Sequence, residues 1–495
     1  MAETASRDES AFSVRRLAGL ALGVLFLGAT LVLPPPEGLG ATGWRTLGMA
    51  GLMAAWWAFE ALPIPATALV PLLAVPLLGI ANIREAAAPY ANPLIFLFLG
   101  GFIIAQGTQR WDLHRRVALS ITARVGTHPA ALVLGFMLAA ASLSMWISNT
   151  ATTIMLLPIA LSVVLVVAGE GPLRERGQRN FAVALMLGVA YGASIGGLAT
   201  KVGSPPNGLL AGYALQQKGI DVAFADWMMI GLPVTAILLP IAWFVLTRIA
   251  FPAREMSDPG RVHEGRKVVR EALARLGRPS SAEKRVAAIF LVIAASWIFR
   301  RQLQELPFLA NLSDSAIAIF GALLMFLVPA GRAGRGRALL TWEEAARIPW
   351  GVLLLFGGGL SLAAAIDSSG LAAWMGKGLA ALEGQHAAVF TLVISSLTIF
   401  LTELTSNTAT TAAFLPILDA LSEGTGVPFL ILAVPAVVAA SCAFMLPVAT
   451  PPNAIVFGSG HVTIPQMIRA GLILNLVSIL LITGLMVVLV PLVFL

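Results

Sequence analysis

The sequence predicts an all-α polytopic membrane protein, and its composition and its long apolar segments both indicate this class. Of 495 residues, 58% are hydrophobic and 12% are charged, whereas an average soluble domain has about 25% charged residues. Too few polar side chains remain to cover a soluble core, which excludes a soluble enzyme. Apolar runs of about 20 residues exclude a β-barrel, because the strands of a barrel alternate apolar and polar positions.

Charge and cysteine usage narrow the function classes further. The net charge is +7, and in a membrane protein Lys and Arg retain loops on the cytoplasmic side. No basic stripe with interleaved aromatic residues occurs, so we expect no nucleic-acid partner. The single cysteine, Cys442, excludes an internal disulfide and a cysteine-based metal site. The five histidines are scattered, and Lys201 is the one candidate base for a serine nucleophile, which disfavours an enzyme.

The N-terminus carries the first predicted transmembrane helix. Residues 1–16 are polar and end in two arginines, and an apolar run follows over 17–33. Three prolines come next, not an Ala-x-Ala cleavage site, so we expect a transmembrane helix here and not a signal peptide. Residues 1–42 are therefore predicted to form a cytoplasmic tail and the first helix.

Twelve further apolar segments follow, and four of them do not suit a single crossing. Segments 129–168 and 388–421 are about 40 and 34 residues long, each with a central Ser-Asn-Thr island. Segments 181–215 and 428–458 are broken by Gly and Pro-Pro. Such interruptions are tolerated only where they face protein or a water-filled cavity, and they indicate a transporter's binding site. The twelve are 43–59, 62–80, 92–107, 129–168, 181–215, 227–251, 286–299, 315–329, 350–366, 388–421, 428–458 and 464–495.

An internal repeat is the strongest signal in the sequence. The hexapeptide Ser-Asn-Thr-Ala-Thr-Thr occurs twice at an offset of 258 residues, and each copy continues to Leu-Pro-Ile. A Gly-Gly pair recurs at an offset of 257, and Pro-Pro-Asn recurs at 246. The shorter last offset fits an insertion around Glu170–Gln178, and three matches in one order are typical of duplication. The matched segments are 148–153 with 406–411, 100–101 with 357–358, and 205–207 with 451–453.

The charges around the two Ser-Asn-Thr hairpins indicate opposite orientations. Arginines flank the hairpin 128–168 on both sides, which predicts cytoplasmic ends, whereas mainly acidic residues flank the hairpin 386–424, which predicts external ends. Two related halves of opposite orientation form an inverted-topology repeat, typical of secondary transporters. The flanking residues are Arg110, Arg115, Arg116, Arg124, Arg174, Arg176 and Arg179 for the first hairpin, and Asp367, Lys377, Glu383, Asp419 and Glu423 for the second.

The repeat also predicts the domain organisation. The first inverted repeat covers 43–253 and the second covers 286–495, with a basic segment at 254–285 between them. This segment holds nine Lys and Arg against five acids. We expect a solvated cytoplasmic linker with an amphipathic helix around 266–276.

The residues at the hairpin tips and helix breaks suit cations and anions together. Within the duplicated hexapeptides there is no Arg, His, Asp or Glu. Hydroxyl, amide and freed carbonyl oxygens suit Na⁺, while amide, hydroxyl and helix N-terminal donors suit carboxylate or sulfate. Small polar residues also pack helices in membranes, but their duplication beside Pro-Pro-Asn favours binding. The candidates are Ser144, Ser148, Asn149, Thr150 and Ser204 in one half, and Thr402, Ser406, Asn407, Thr408 and Thr450 in the other.

The paired Ser-Asn-Thr motifs, together with Pro-Val-Ala-Thr-Pro-Pro-Asn-Ala at 447–454, resemble the divalent anion:sodium symporter (DASS, INDY-type) family over about 43–495. The resemblance implies about eleven transmembrane helices and two re-entrant hairpins in the inverted-topology repeat. It implies a scaffold domain, a transport domain that moves like an elevator, and a homodimer in the lipid bilayer. The substrates it implies are dicarboxylates, citrate or sulfate, with Na⁺ as a co-transported ion and not a prosthetic group.

The resemblance also assigns roles to individual residues. The first sodium site would use Ser144, Ser148, Asn149 and the backbone at Gly203, and the second would use Thr402, Ser406, Asn407 and the backbone at Ala449. The substrate would contact Ser148, Asn149, Thr150, Ser204, Ser406, Asn407, Thr408 and Thr450.

Lys201 departs from the family pattern. It stands where an apolar residue is expected in sodium-coupled relatives, and no cation occurs at the matching Pro447. An intramembrane lysine is a functional hypothesis by default. Its ammonium group would supply charge near the first cation site and alter the coupling, in which case Lys201→Leu raises Na⁺ dependence. In the alternative interpretation, the side chain only snorkels toward water.

We therefore predict a Na⁺-coupled transporter of succinate-, malate- or fumarate-type dicarboxylates in a bacterial inner membrane. Its N-terminus would be cytoplasmic and its C-terminus external. A Na⁺-independent dicarboxylate exchanger with Lys201 in place of a cation stays open, as does a sulfate or citrate transporter. A channel or a membrane enzyme is the alternative from a different class.

Overall fold

A computed structural model describes residues 14–125, 128–168, 176–252, 259–334, 336–379 and 384–494. In these ranges the chain is helical without a strand, and one isolated antiparallel bridge joins Pro329 and Ala338. The all-α prediction is confirmed. Several predicted features lie outside the described residues: the tail before residue 14, the insertion near Glu170–Gln178 over 169–175 with Arg174, the start of the basic segment at 253–258, and Glu383.

Twenty-four α-helices are described, numbered here along the chain. Five of them begin with proline (α6, α8, α11, α13 and α23), at the position where the missing N–H leaves no hydrogen bond unmade. The helices are α1 (Val14–Val32), α2 (Ala41–Ala58), α3 (Ile64–Thr67), α4 (Val70–Leu77), α5 (Ile83–Ala87), α6 (Pro93–Arg110), α7 (Leu113–Arg124), α8 (Pro129–Ser144), α9 (Asn149–Ala168), α10 (Arg176–Gly196), α11 (Pro205–Lys218), α12 (Phe224–Phe244), α13 (Pro259–Arg275), α14 (Ser281–Ile298), α15 (Arg300–Leu303), α16 (Asp314–Leu327), α17 (Trp342–Ala345), α18 (Trp350–Ser368), α19 (Leu371–Leu379), α20 (Ala387–Thr402), α21 (Asn407–Thr425), α22 (Phe429–Ala440), α23 (Pro451–Phe457) and α24 (Ile464–Phe494).

Six helical segments of the described chain are long and apolar enough to cross a bilayer. The first of them contains most of the apolar run that predicted the first transmembrane helix. Five shorter apolar helices accompany them. These segments support a multi-pass membrane protein, while the number of crossings stays a prediction. The six are Val14–Val32, Ile83–Arg110, Asn149–Val167, Phe224–Ala250, Trp350–Ser368 and Ile464–Phe494.

The chain divides into two compact units, and each takes segments from both halves of the sequence repeat. The smaller unit comprises Met1–Ala91, Gly351–Gly384 and Thr408–Val427. The repeat boundaries at 43–253 and 286–495 are a different division of the chain and stay a prediction. The larger unit comprises Asn92–Trp350, Gln385–Asn407 and Pro428–Leu495.

Within the smaller unit, side-chain hydroxyls bind the backbone of neighbouring segments. Helix α1 packs against α2. The Ser361 hydroxyl of α18 donates to the Ala86 carbonyl of α5 at 2.8 Å, and the Tyr90 hydroxyl donates to the Ala68 carbonyl. These bonds satisfy polar groups that would otherwise be buried without partners.

Within the larger unit, α10 is buried from Phe181 to its end. It packs against α8, α9, α12 and α23. Its last residue, Gly196, lies so close to α8 that a Cβ would stand 2.4 Å from the Ala141 Cα. Glycine at such a crossing lets two helix backbones approach in a membrane protein. The tight contact fixes the end of α8, where the first hairpin turns.

The basic segment differs from the expected solvated linker. Helix α13 begins earlier than the predicted amphipathic helix and packs against α7 and α9. Val269 is fully buried, and the Arg266 guanidinium donates to the Ala123 carbonyl at 3.0 Å. The segment thus covers the second arm of the first hairpin, while Lys267 and other charged residues face outward.

Candidate functional site

Two breaks between helices build the candidate site in the larger unit. Helix α10 ends at Gly196 and α11 begins at Pro205, while α22 ends at Ala440 and α23 begins at Pro451. We call residues 197–204 the first loop and 441–450 the second loop. Both contain non-helical backbone whose N–H and C=O groups need partners.

The two loops are closed by equivalent asparagines. Asn207 Nδ2 donates to the carbonyls of Gly197 at 3.0 Å and Thr200 at 2.8 Å. Asn453 Nδ2 donates to Ala443 at 3.3 Å and to Leu446 at 3.0 Å.

Both asparagines and all four carbonyl partners are related by one offset of 246 residues. Both side chains are fully buried. Neither amide oxygen accepts a hydrogen bond from a described residue. The Pro-Pro-Asn duplication therefore encodes a duplicated hydrogen-bond arrangement.

Ser204 and Thr450 end the two loops in matching conformations. Each has an extended backbone and directly precedes a helix that begins with Pro-Pro, and each is buried. Ser204 Oγ lies 3.1 Å from Ser441 Oγ of the second loop. The Tyr191 hydroxyl donates to the Phe444 carbonyl at 2.7 Å, so residues from both halves of the repeat meet here.

The first hairpin tip lies against the first loop. The Ser144 hydroxyl, at the end of α8, donates to Asn149 Oδ1 at 2.5 Å. A Cβ at Gly197 would stand 2.6 Å from that Oδ1 and 3.0 Å from the Gly203 carbonyl oxygen. Three predicted ligands of the first cation site, Ser144, Asn149 and Gly203, are thus brought together.

The other predicted residues of this tip have different surroundings. Ser148 Oγ accepts from the Ala151 N–H at 3.3 Å, as a capping residue does at a helix start. Thr150 is half-buried in the first turn of α9. The Thr200 hydroxyl fastens the loop to the hairpin by donating to the Met145 carbonyl at 2.5 Å.

The second hairpin tip repeats this organisation only in part. Thr402 is buried, and its hydroxyl donates to α20 carbonyls at 3.0 and 3.1 Å. Ser406 and Asn407 are half-buried, as Ser148 and Asn149 are. Thr408 begins the part of α21 that belongs to the smaller unit.

Ala449 matches Gly203 in its backbone contact. The Ala449 N–H donates to the Leu446 carbonyl at 3.2 Å, and the Gly203 N–H donates to the Thr200 carbonyl at 3.3 Å. Both residues are buried. The backbone positions predicted for the two cation sites are therefore equivalent.

Glu403 is a residue of the site that the sequence reasoning missed. Its side chain is only 3% exposed, and its carboxylate accepts four hydrogen bonds. Three come from consecutive backbone N–H groups of Phe444, Met445 and Leu446 at 2.8, 2.8 and 2.9 Å. The fourth comes from Asn475 Nδ2 at 2.7 Å. A carboxylate thus holds the second loop where a carbonyl holds the first.

One feature of the sequence could have identified Glu403. At the offset of 258 residues Glu403 corresponds to Met145, so comparison of the repeats gave no indication of a charged group there. Glu403 directly follows the apolar helix α20, and an acidic residue in such a segment indicates function by default.

Lys201 forms a buried ion pair. Its side chain is 5% exposed, and Nζ donates to Asp314 Oδ2 at 2.8 Å and to the Val222 carbonyl at 2.6 Å. Arg300 Nη1 lies 3.3 Å from Asp314 Oδ1, and Arg300 Nη2 lies 2.6 Å from Asp221. The prediction of a functional Lys201 stays untested, but its charge has a partner.

An apolar cavity of about 280 Å³ lies beside the first hairpin tip. Trp146, Val202 and Trp297 are among its lining residues. Its walls are mostly apolar, with Thr108, His114 and Ser142 as the polar lining residues, so the oxygen-lined loops and not this cavity are the candidate site.

Comparison with known proteins identifies the family. Residues 14–495 match the family profile described as "Sodium:sulfate symporter transmembrane region". The chain is 42% identical over 489 residues to the "Sodium-dependent dicarboxylate transporter SdcS" of Staphylococcus saprophyticus, covering 98% of this chain and 93% of the relative. It is 40% identical over 476 residues to the protein of that name from Staphylococcus aureus (strain USA300), covering 96% and 91%.

A solved structure shares the fold at low sequence identity. The YdaH transporter of Alcanivorax borkumensis aligns with a TM-score of 0.56 at 15% identity, covering 97% of this chain and 99% of that chain. The match supports an all-helical fold. The profile match over nearly the whole chain and the relatives at 42% and 40% identity show that the chain belongs to the sodium:sulfate symporter family, the divalent anion:sodium symporters.

Proposed function

We propose that this chain is a Na⁺-coupled transporter of dicarboxylates. The observation that carries the proposal is the pair of loops closed by Asn207 and Asn453 with the same hydrogen bonds. Two equivalent, partly unwound segments beside hairpin tips are the arrangement in which transporters hold substrates and coupling ions. Two relatives at 42% and 40% identity carry the name sodium-dependent dicarboxylate transporter, which supports this substrate class.

In the proposed mechanism, each loop and its hairpin tip bind one sodium ion. The first site uses the oxygens of Ser144, Ser148, Asn149 and Gly203, and the closeness of three of these residues supports it. The second site uses Thr402, Ser406, Asn407 and Ala449. The buried Glu403 carboxylate beside Thr402 adds negative charge that favours a cation at the second site.

The dicarboxylate then binds between the two tips. The amide groups of Asn149 and Asn407 and the hydroxyls of Thr150, Thr408, Ser204 and Thr450 donate to its oxygens, assisted by Ser148 and Ser406. Bound sodium ions offset the charge of the dianion, so substrate affinity depends on Na⁺. This dependence couples uptake to the sodium gradient.

The finer architecture belongs to the same proposal. The family resemblance supports about eleven transmembrane helices, two re-entrant hairpins and an elevator motion of a transport domain against a scaffold. It also supports a homodimer in a bacterial inner membrane. The arginine-rich flanks of the first hairpin favour a cytoplasmic N-terminus and an external C-terminus.

The exchanger alternative is less favoured because of the partner of Lys201. A lysine that replaces a sodium ion needs an uncompensated charge, whereas Nζ of Lys201 lies 2.8 Å from the Asp314 carboxylate. Sulfate and citrate are alternative substrates for the same donors, and the family description includes sulfate. They are best treated as competitors in the test.

The test is uptake of labelled succinate into proteoliposomes that contain the purified protein. Sodium or choline is supplied outside, and succinate is either present or absent inside. We expect saturable uptake that requires external Na⁺ but no internal succinate, reduced by excess malate or fumarate more than by sulfate or citrate. Uptake that ignores Na⁺ and requires internal dicarboxylate would contradict the symporter, and non-saturable flux would indicate a channel.

A further inference from the structure

Lys201 poses an electrostatic problem for the proposed function. It lies two residues before Gly203, whose carbonyl belongs to the proposed first cation site. The chain spacing and the lysine stem limit the distance between its ammonium and that site to at most about 13 Å. At this range and at an effective dielectric constant of about 20, a free ammonium would weaken Na⁺ binding roughly tenfold.

The ion pair around Lys201 compensates the positive charge of its ammonium. Among the described residues, Asp314 is the one acidic side chain in ion-pair contact with Lys201. Both side chains are 5% exposed, so solvent screens their interaction little. The other acceptor, the Val222 carbonyl at 2.6 Å, carries no formal charge.

Arg300 does not compete strongly for Asp314. Its Nη2 donates to Asp221 at 2.6 Å. Its contact with Asp314 Oδ1 is longer, at 3.3 Å, and that oxygen accepts no hydrogen bond from the described residues. The four groups therefore form two pairs, Lys201 with Asp314 and Arg300 with Asp221, whose net charge is zero.

We propose that Asp314 is the counter-ion that makes Lys201 compatible with sodium binding at the first loop. The inference rests on the proposed function and adds a residue that lies 113 positions from Lys201 in sequence. Asp314 contacts neither sodium nor substrate. It acts through Lys201, by keeping the region around Gly203 electrically neutral.

The test measures the Na⁺ concentration that gives half-maximal succinate uptake in proteoliposomes. In D314N an uncompensated ammonium is left, so this concentration rises roughly tenfold. In K201L an uncompensated carboxylate is left, so it falls several-fold while Na⁺ stays required. In K201L/D314L both charges are absent, and the value returns to within about twofold of wild type.

The matched control is D226N. Asp226 is also a buried acid, paired with Arg301 at 2.7 Å and bound by the Ala223 N–H, and it has no ion pair to the first loop. This variant removes the charge of a buried acid whose partner Arg301 is 64% exposed, so it reports the effect of losing a buried carboxylate that is not paired with the first loop. Its half-maximal Na⁺ concentration is expected within about twofold of wild type.

Single variants that leave a buried charge unpaired are the ones at risk of misfolding, whereas apolar replacement of a whole pair is often neutral or stabilising. K201L/D314L therefore keeps the inference testable by itself. A tenfold change of its half-maximal Na⁺ concentration would overturn the counter-ion role.

The inference is also overturned if the half-maximal Na⁺ concentrations of D314N and K201L both shift in the same direction, or if neither shifts. Wild-type uptake that ignores Na⁺ would overturn the proposed function and this inference together. Na⁺-dependent wild-type uptake with unmoved variants would overturn this inference alone.

Discussion

The first and second loops are closed in the same way but fastened to their hairpins differently. Asn207 and Asn453 bind equivalent carbonyls. The first loop is fastened by a neutral bond from Thr200 to the Met145 carbonyl. The second loop is fastened by the Glu403 carboxylate, which accepts three consecutive backbone N–H groups.

The difference shows which parts of the repeat have been kept. The turn that presents Gly203 or Ala449 is equivalent in both halves, and a small hydroxyl residue, Ser204 or Thr450, follows it in each. The fastening has diverged, because each loop meets different neighbours. In the first half, Lys201 pairs with Asp314, which is 113 positions away in sequence. In the second half, Glu403 has no acidic counterpart in the repeat and also accepts from Asn475.

The largest expected effect is on transport, at the residues that both halves share. We expect Asn149→Ala and Asn407→Ala each to reduce succinate uptake at least about a hundredfold, since each removes a cation ligand and a substrate donor. Both residues are half-buried, so the purified variants should unfold near the wild-type Tm. Ser162→Ala, an exposed hydroxyl on α9, is the control and should transport normally. Wild-type uptake by either asparagine variant would defeat the site assignment.

The next effect distinguishes the two fastenings. Glu403→Ala leaves three donors without an acceptor, the N–H groups of Met445 and Leu446 and the Asn475 amide, while the Phe444 N–H keeps Asn475 Oδ1 at 3.3 Å. Each unpaired donor costs about 1–3 kcal/mol. We therefore expect destabilisation by at least about 3 kcal/mol, measured as a large fall of Tm in detergent. The matched control is Met145→Ala, because the contact at that position is made by the backbone carbonyl. Equal effects of the two substitutions would show that the carboxylate does not fasten the second loop.

A smaller effect tests the equivalence of the loops. Asn207→Ala and Asn453→Ala each remove two hydrogen bonds to buried carbonyls, which costs about 2–4 kcal/mol. Because the arrangements match, the losses in free energy of unfolding, obtained from the two Tm shifts, should agree within about 1 kcal/mol. A variant that unfolds like wild type while the other is strongly destabilised would refute the equivalence.

The smallest effect concerns the neutral fastening. Thr200→Val keeps the shape of the side chain but removes its hydroxyl, which donates to Met145 and accepts from the Gly203 N–H at 3.1 Å. We expect a loss of about 1–1.5 kcal/mol, since the Gly203 N–H keeps the Thr200 carbonyl as an acceptor. A Tm loss as large as that of Glu403→Ala would contradict the proposed difference in fastening.

The sequence was sufficient to predict the all-α class and the duplicated helix breaks beside which the proposed site residues lie. Composition sets the class, and Pro-Pro-Asn predicts where the helices break. The pairing of Ser144 with Asn149 across the first tip follows from the hairpin that the Ser-Asn-Thr island implies. Duplication therefore marked the residues whose geometry recurs.

The remaining features could not be read from the repeat. Glu403 has no charged counterpart at Met145, and its partners lie more than 40 residues away. Lys201 was visible as an unusual residue, but nothing local indicated Asp314 as its partner. The contact of α13 with the first hairpin was likewise hidden, because its many charges indicate a solvated segment. Long-range polar contacts depend on tertiary packing, which local patterns do not encode.

The central claim, two equivalent cation sites in one dicarboxylate symporter, is tested most directly by counting ions. Labelled sodium and labelled succinate entering the same proteoliposomes are measured together, with wild-type protein and an inward Na⁺ gradient. The account predicts that at least two sodium ions enter with each succinate, one for each loop and its hairpin tip. Succinate uptake without accompanying sodium entry would contradict it.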